Sequence, residues 1–177
     1  MDVVTRADED LLLDLLNTTP VVAGSQVDEL LGPDAGRWAA DHGGTGAPAE
    51  VTALREARDA MQAVVSGEAQ ASSLAPLLAQ VAVRPRWQDG ALTWEVSSGD
   101  GSTLAARALL AWAAVTERSP ERLRPCANPE CCRFLLDRSN ANAARWCSMA
   151  LCGNRAKARR HYRRSRAGDA DGTAQPG

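Results

Sequence analysis

The chain has 177 residues, 45 % of them hydrophobic and 24 % charged, enough apolar material for one buried core plus a small appendage and too much for wholesale disorder. A formal net charge of −2 conceals a segregation: residues 1–120 hold 8 Arg/Lys against 17 Asp/Glu, residues 121–166 hold 12 against 3, and the tail 167–177 adds Asp169 and Asp171. Charge divided in this way draws a polyanion to one end of the molecule and repels it from the other. Lys157 is the sole lysine beside 19 arginines, a bias of genome composition, so no single arginine is informative by itself.

The acidic start, Met1 to Asp10, has no apolar run of signal-peptide length. The longest apolar-rich stretch, Leu104 to Val115, contains Arg107 and is too short to span a bilayer. A cytoplasmic, nucleoid-associated protein without membrane contact is expected, in a compartment where clustered cysteines point to metal rather than disulfides.

In chain order, Asp10 to Asn17 reads as an apolar helix ended before Pro20. Val27–Leu31 and Asp34–His42 read as two short helices divided at Gly32-Pro33, and 43–48 as a loop. Pro48 to Val65 carries Val51, Leu54, Arg58, Met61 and Val65 at helical spacing, with proline in the first turn and Gly67 beyond the end. Leu74 to Val83 reads as a further apolar helix. Pro85 to Val96 is a hairpin: Asp89-Gly90 supplies a two-residue turn, and Trp87, Leu92, Trp94 and Val96 alternate on the strands. Ser102 or Thr103 caps a helix to about Glu117 that buries Leu104, Leu109, Trp112 and Val115. Trp38, Trp87, Trp94 and Trp112 are expected to serve packing.

The five cysteines, Cys126, Cys131, Cys132, Cys147 and Cys152, all fall within 27 residues. Taking Cys131 gives C-x4-C, fifteen intervening residues, and C-x4-C. Two short-spaced pairs separated by a loop suit a tetrahedral zinc site, closed by four thiolates and therefore structural. Cys132 is the spare, and its substitution for Cys131 stays open at this stage. So small a module needs the metal to fold.

Beyond Cys147 the chain is dense in arginine. On a helical wheel Arg155, Arg159, Arg163 and Arg166 share one strip, and Lys157, Arg160 and Arg164 a second. Leu151, Ala158, Tyr162 and Ser165 fill the remaining side, expected to pack on the zinc knuckle. Without acids for pairing, the cations repel one another until a polyanion relieves them, and guanidinium suits phosphate. Asn154 and Arg155, in the first turn, are candidate base readers, although Asn154 equally suits a cap. Arg145, Asn154, Arg155, Lys157, Arg159, Arg160, Arg163 and Arg164 are the expected nucleic-acid contacts, with DNA the expected partner and a zinc-stapled RNA- or protein-interaction module the alternative.

The string Cys126-Ala127-Asn128-Pro129-Glu130-Cys131, with Phe134 to Ser139 and Arg145-Trp146-Cys147-Ser148-Met149-Ala150-Leu151-Cys152-Gly153-Asn154-Arg155-Ala156-Lys157, closely resembles the CGNR zinc-finger family, named for the tetrapeptide at 152–155. Leu13 to Thr18 and Leu54 to Arg58 resemble the N-terminal domain, often labelled ABATE, that precedes this finger. The resemblance implies zinc ligation by Cys126, Cys131, Cys147 and Cys152 and a stress-related bacterial transcriptional regulator. The expected architecture is α+β and mainly helical. An N-terminal helical domain with a small β-hairpin (1–118), for sensing or dimerisation, precedes a treble-clef-like zinc module ending in a basic helix (119–166) and a disordered tail (167–177). A homodimer and a small-molecule effector are possible partners. Asp14 and Asn17 share a helix face, either lining a ligand pocket or pinning backbone. With two histidines, His42 and His161, and no nucleophile–base motif, the sequence offers no catalytic case.

Overall fold

The computed structural model describes residues 3–99, 101–160 and 162. Helix α1, Arg6–Leu16, begins four residues before the apolar run because Thr5 and Asp8 form a reciprocal capping box. The Asp8 carboxylate accepts from the Thr5 amide at 2.8 Å, and the Asp8 amide donates to the Thr5 hydroxyl at 3.3 Å. Asp8 also receives Arg107 of α5 (Thr103–Arg118) at 2.7 Å. The cap thus doubles as a tie between the two helices.

Strands β1 (Val21–Val22) and β2 (Ser25–Gln26) form a minimal hairpin, with Ala23 (φ 51°) and Gly24 (φ 87°) in the turn. The helix expected over Val27–Leu31 does not form. The Asp28 carboxylate accepts from the Leu30 amide and is captured by Arg58, which fixes a turn there instead. Helix α2 is Ala35–Asp41, and α3, Pro48–Val65, has the bounds its periodicity predicts. Gly36 and Gly46 bring the α2 start and the α3 approach together: a Cβ on either would lie 2.8 or 2.6 Å from the other's carbonyl oxygen. Neither position has room for a side chain.

The apolar helix expected over Leu74–Val83 is shorter. A 3-10 turn, Ala71–Leu74, and α4, Ala75–Leu78, give way to strand β3, Val81–Gln88. The β-branched Val81 and Val83 pair opposite Ser98 and Val96 of β4, Ala91–Ser98, so cross-strand packing takes residues that a helical reading had claimed. The turn is Asp89 (φ 51°) and Gly90 (φ 77°), as the dipeptide predicts. Trp87, Leu92, Trp94 and Val96 do share a face, but Trp87 is 76 % exposed and serves no core. It sits next to the turn, at the far end of the hairpin from the α5 connection.

The core lies between α1, α3 and α5. Leu11, Leu12, Leu15 and Leu16 meet Leu54, Ala57 and Met61 and the alanine-lined face of α5, including Ala105, Ala108, Ala111 and Val115. Beneath it, Arg58 is buried with its guanidinium on Asp28 (2.6 Å), Asp59 (2.8 Å) and the Thr18 hydroxyl (3.2 Å). Strands β5, Leu123–Pro125, and β6, Phe134–Leu136, pair antiparallel. Leu123 and Phe134 join the same apolar cluster as the helices, so the core runs on past residue 118, where the domain boundary was expected. Among the described residues no helix is long and apolar enough to cross a membrane. The tail expected to be disordered, 167–177, lies outside the described residues.

Candidate metal centre and nucleic-acid interface

The first cysteine pair sits in the connection between β5 and β6. Pairing of the strands brings the Cys126 amide onto the Arg133 carbonyl at 2.8 Å, and the Cys131 amide closes a turn on the Asn128 carbonyl at 2.9 Å. The second pair brackets a helical entry. The Ser148 hydroxyl caps it, accepting from the Leu151 amide at 3.4 Å, and a wide π-type turn over Met149–Gly153 runs into a helix over 154–160. The extra residue per turn delays the helix enough to place Cys152 opposite Cys147.

The loop between the pairs is held by Asp137 and Arg124. The Asp137 carboxylate accepts from the Ser139 hydroxyl (2.7 Å), the Ser139 amide (2.9 Å), the Ala144 amide (2.7 Å) and Arg124 (2.8 Å). The bonds from Ser139 foremost, helped by the Ala144 amide and the Arg124 charge, hold its pKa down at about 2. Arg124 further donates to the carbonyls of Ala144 and Glu121 at 2.6 Å each. These polar staples stand in for the apolar core that so short a segment lacks.

The ligand sulfurs of Cys126, Cys131, Cys147 and Cys152 all lie within 4.8 Å of one another. Cys147 Sγ is 3.7 Å from both Cys131 Sγ and Cys152 Sγ. A tetrahedron with zinc–sulfur bonds of about 2.3 Å has edges of about 3.8 Å, so the cluster has the size of a zinc site. Its chemistry agrees. Burial and the adjoining thiols push the Cys147 thiol up, and burial raises Cys131. Cys126 is also raised by burial, but the amides of Cys147 and Asn128 outweigh that and bring it down. The raised thiols of Cys131 and Cys147 resist ionisation until a dication binds them. The site is closed, with one structural zinc ion on four thiolates. Cys132 is exposed and stands outside the cluster, which settles the choice between the neighbours for Cys131.

Ligation by Cys152 decides which side of the helix faces inward. Ala156 and Arg159, four and seven residues on, follow it toward the knuckle and are half-buried. Arg159 donates to Asn128 Oδ1 at 2.8 Å and reaches Glu130 at 3.3 Å, while fully buried Asn128 offers its amide to Cys152 Sγ at 3.5 Å. Arg159, expected to contact nucleic acid, is therefore bound internally. The expected apolar docking side is corrected as well: Leu151 is 48 % and Tyr162 62 % exposed, and Ala158 is exposed. Asn154 has helical angles (φ −68°, ψ −38°) within the continuous helix, so it is no N-cap.

Asn154, Arg155, Lys157 and Arg160 are exposed, and among the described residues none of their side chains is hydrogen-bonded or ion-paired. Arg145 is exposed too, its guanidinium 5.7 Å over the Trp146 ring. Arg163 and Arg164 lie outside the described residues. Asp14 and Asn17 go to different partners. Asp14 faces His42 at 3.4 Å, whereas Asn17 bonds the backbone of Phe134. The residues that sequence reasoning missed are Asn128, Arg124 and Asp137. An asparagine inside the knuckle was a visible signal for the first; the others needed the fold.

No curated protein matches the chain. The family model described as CGNR zinc finger matches residues 122–165, the segment that contains all four ligands, and through it the chain carries a CGNR zinc finger.

Proposed function

We propose that this protein is a zinc-dependent, DNA-binding transcriptional regulator. Its treble-clef-like module, 119–166, presents a basic helix to the phosphate backbone, and the acidic body, 1–118, is an ABATE-like sensing or dimerising domain. The observation that supports this is the division of labour among the arginines. Arg122, Arg124, Arg138 and Arg159 bind carbonyls or acids of the protein itself. Arg145, Arg155, Lys157 and Arg160 point into solvent with no acid to offset them among the described residues. Unpaired cations of one sign on one small module are the electrostatic footprint of a polyanion partner.

Six phosphate contacts, from these four and from Arg163 and Arg164, give a slope of about −5 in log affinity against log salt. Fluorescence anisotropy on random-sequence duplex across a salt series measures it. A flat salt response eliminates the reading, and tighter binding to RNA loops than to duplex DNA transfers it to RNA. Selection from a random duplex library then supplies the target sequence.

A further inference from the structure

Between the knuckle and the basic helix lies an open groove of about 480 Å³. Pro129, Ala156 and the half-buried Trp146 supply apolar wall, and Arg145, Arg159 and Arg160 with the single carboxylate Glu130 supply the charge, a net positive lining. Arg159 is turned to Asn128 and Glu130, which leaves Arg145 and Arg160 for a ligand. A bare phosphate would need no indole, and an apolar peptide would need no arginines. A flat π-system carrying phosphate on its edge uses both.

We propose that this groove takes one unstacked nucleobase, with Trp146 as its stacking platform, and that the finger accordingly prefers DNA containing an unpaired base to fully paired duplex. The inference rests on the DNA-binding reading above. Two geometric facts carry it. First, the Arg145 guanidinium stands 5.7 Å from the Trp146 ring centroid. A base held between the two planes needs two van der Waals contacts of about 3.5 Å, about 7 Å in all. The guanidinium therefore has to move off the ring to admit a base, and it is free to do so: Arg145 is exposed, and among the described residues the ring is the sole partner of its side chain. Second, the groove has the volume of a small-ligand site, and its charged side adjoins the exposed face that carries Lys157 and Arg160. In paired duplex both faces of every base are covered by neighbours, and only the edges are accessible in the grooves. A base can lie on Trp146 only after it leaves the stack, in a bulge, a gap or an opened site.

The test measures the affinity of the zinc-loaded full chain for three probes at one salt concentration: a 20-mer duplex, the same duplex with a one-nucleotide bulge, and the single strand. Stacking of one base on an aromatic side chain predicts about 5- to 150-fold tighter binding to the bulged than to the paired duplex. Trp146→Phe keeps most of that preference. Trp146→Leu brings the ratio close to one while the affinity for paired duplex stays within about twofold. Zinc content establishes that each variant is folded. Should Trp146→Leu lose zinc, quenching of wild-type tryptophan emission by the bulged but not the paired duplex, absent in Trp146→Phe, takes its place.

Equal wild-type affinity for paired and bulged duplex overturns the groove assignment and leaves salt-dependent DNA binding standing. Absence of binding to any of the three probes overturns both.

Discussion

Asn17 closes a two-bond ring with the backbone of Phe134, 117 positions away: its Oδ1 accepts the Phe134 amide at 2.8 Å and its Nδ2 donates to the Phe134 carbonyl at 3.2 Å. The side chain at the end of α1 behaves as one more residue of β-ladder for β6, on the strand that leads out of the zinc knuckle. Phe134 itself is buried in the shared core. Asn17→Ala removes both bonds and leaves two backbone groups without a partner, at a cost of about 2–4 kcal/mol. A denaturant midpoint that shifts by less than the equivalent of about 0.5 kcal/mol contradicts this role.

Metal loading tests the ligand set. Cys126→Ser, Cys131→Ser, Cys147→Ser and Cys152→Ser each lose or greatly weaken the bound zinc, whereas Cys132→Ser keeps one zinc per chain by elemental analysis. Because Leu123 and Phe134 belong to the common core, chelation lowers the thermal midpoint of the entire protein and not only of the finger. Identical melts with and without chelator would contradict a structural ion.

Arg58 and Asp28 form a buried pair, and its loss is one-sided. Arg58→Met leaves the carboxylate with Arg55 as its cation, at 3.6 Å, and Asp28→Asn leaves the buried guanidinium with Asp59 and Thr18, so each costs about 1.5–3 kcal/mol, less than a fully stranded buried charge. Burial pushes the Asp28 carboxyl up, but the Arg58 hydrogen bonds and charge outweigh it and hold the pKa below the ordinary value of 3.8. A depressed folded-state pKa contributes stability that is complete above the unfolded pKa and is lost as pH falls through the folded one. The stability gap between wild type and Asp28→Asn is therefore constant from pH 7 down to about 5 and closes below about 4. Urea denaturation of the pair at each pH measures it, with zinc loss affecting both proteins alike. A gap that widens in acid contradicts the assignment.

Arg159 and Arg160 are adjacent in sequence and opposite in role. Arg159→Ala frees buried Asn128 from its partner, loosens the second sphere of Cys152 and lowers zinc affinity by about tenfold or more. Arg160→Ala leaves stability within about 0.5 kcal/mol and reduces the magnitude of the salt slope on DNA by about 0.9. Metal competition and anisotropy separate the two outcomes. Equal loss of zinc affinity in both variants would remove the distinction.

Close approach of two backbones makes the last prediction. Gly36→Ala sets a Cβ 2.8 Å from the Gly46 carbonyl, where no flexible side chain can yield, and costs about 1–3 kcal/mol of stability. Gly67→Ala has open space around it but a φ of +77°, so its cost is backbone strain alone, about 1–2 kcal/mol. Thermal melts of the two variants, with the Gly36 variant unfolding at or below the Gly67 variant, check the ordering.

The residues alone determined what depends on neighbours in the chain. Proline at the start and a 3.6-residue apolar period bounded α3, Asp-Gly closed the β3–β4 turn, and two short-spaced cysteine pairs pointed to a zinc site while leaving Cys131 or Cys132 to the fold, because each of these is a local constraint on backbone or donor spacing. Where a distant partner competes with local preference, the sequence was silent or misleading. Val81 and Val83 pair with β4, Asp28 goes to Arg58, and Asn17 goes to Phe134. The rotation of the basic helix is the sharpest case. Apolar patterning assigned Leu151, Ala158 and Tyr162 to the inner side, but a metal–thiolate bond is far stronger than the burial of one leucine, so Cys152 fixes the rotation and carries Ala156 and Arg159 inward with it. Which arginines are free for a partner is thus decided by the tertiary structure, since one coordination bond sets the orientation of every residue that follows.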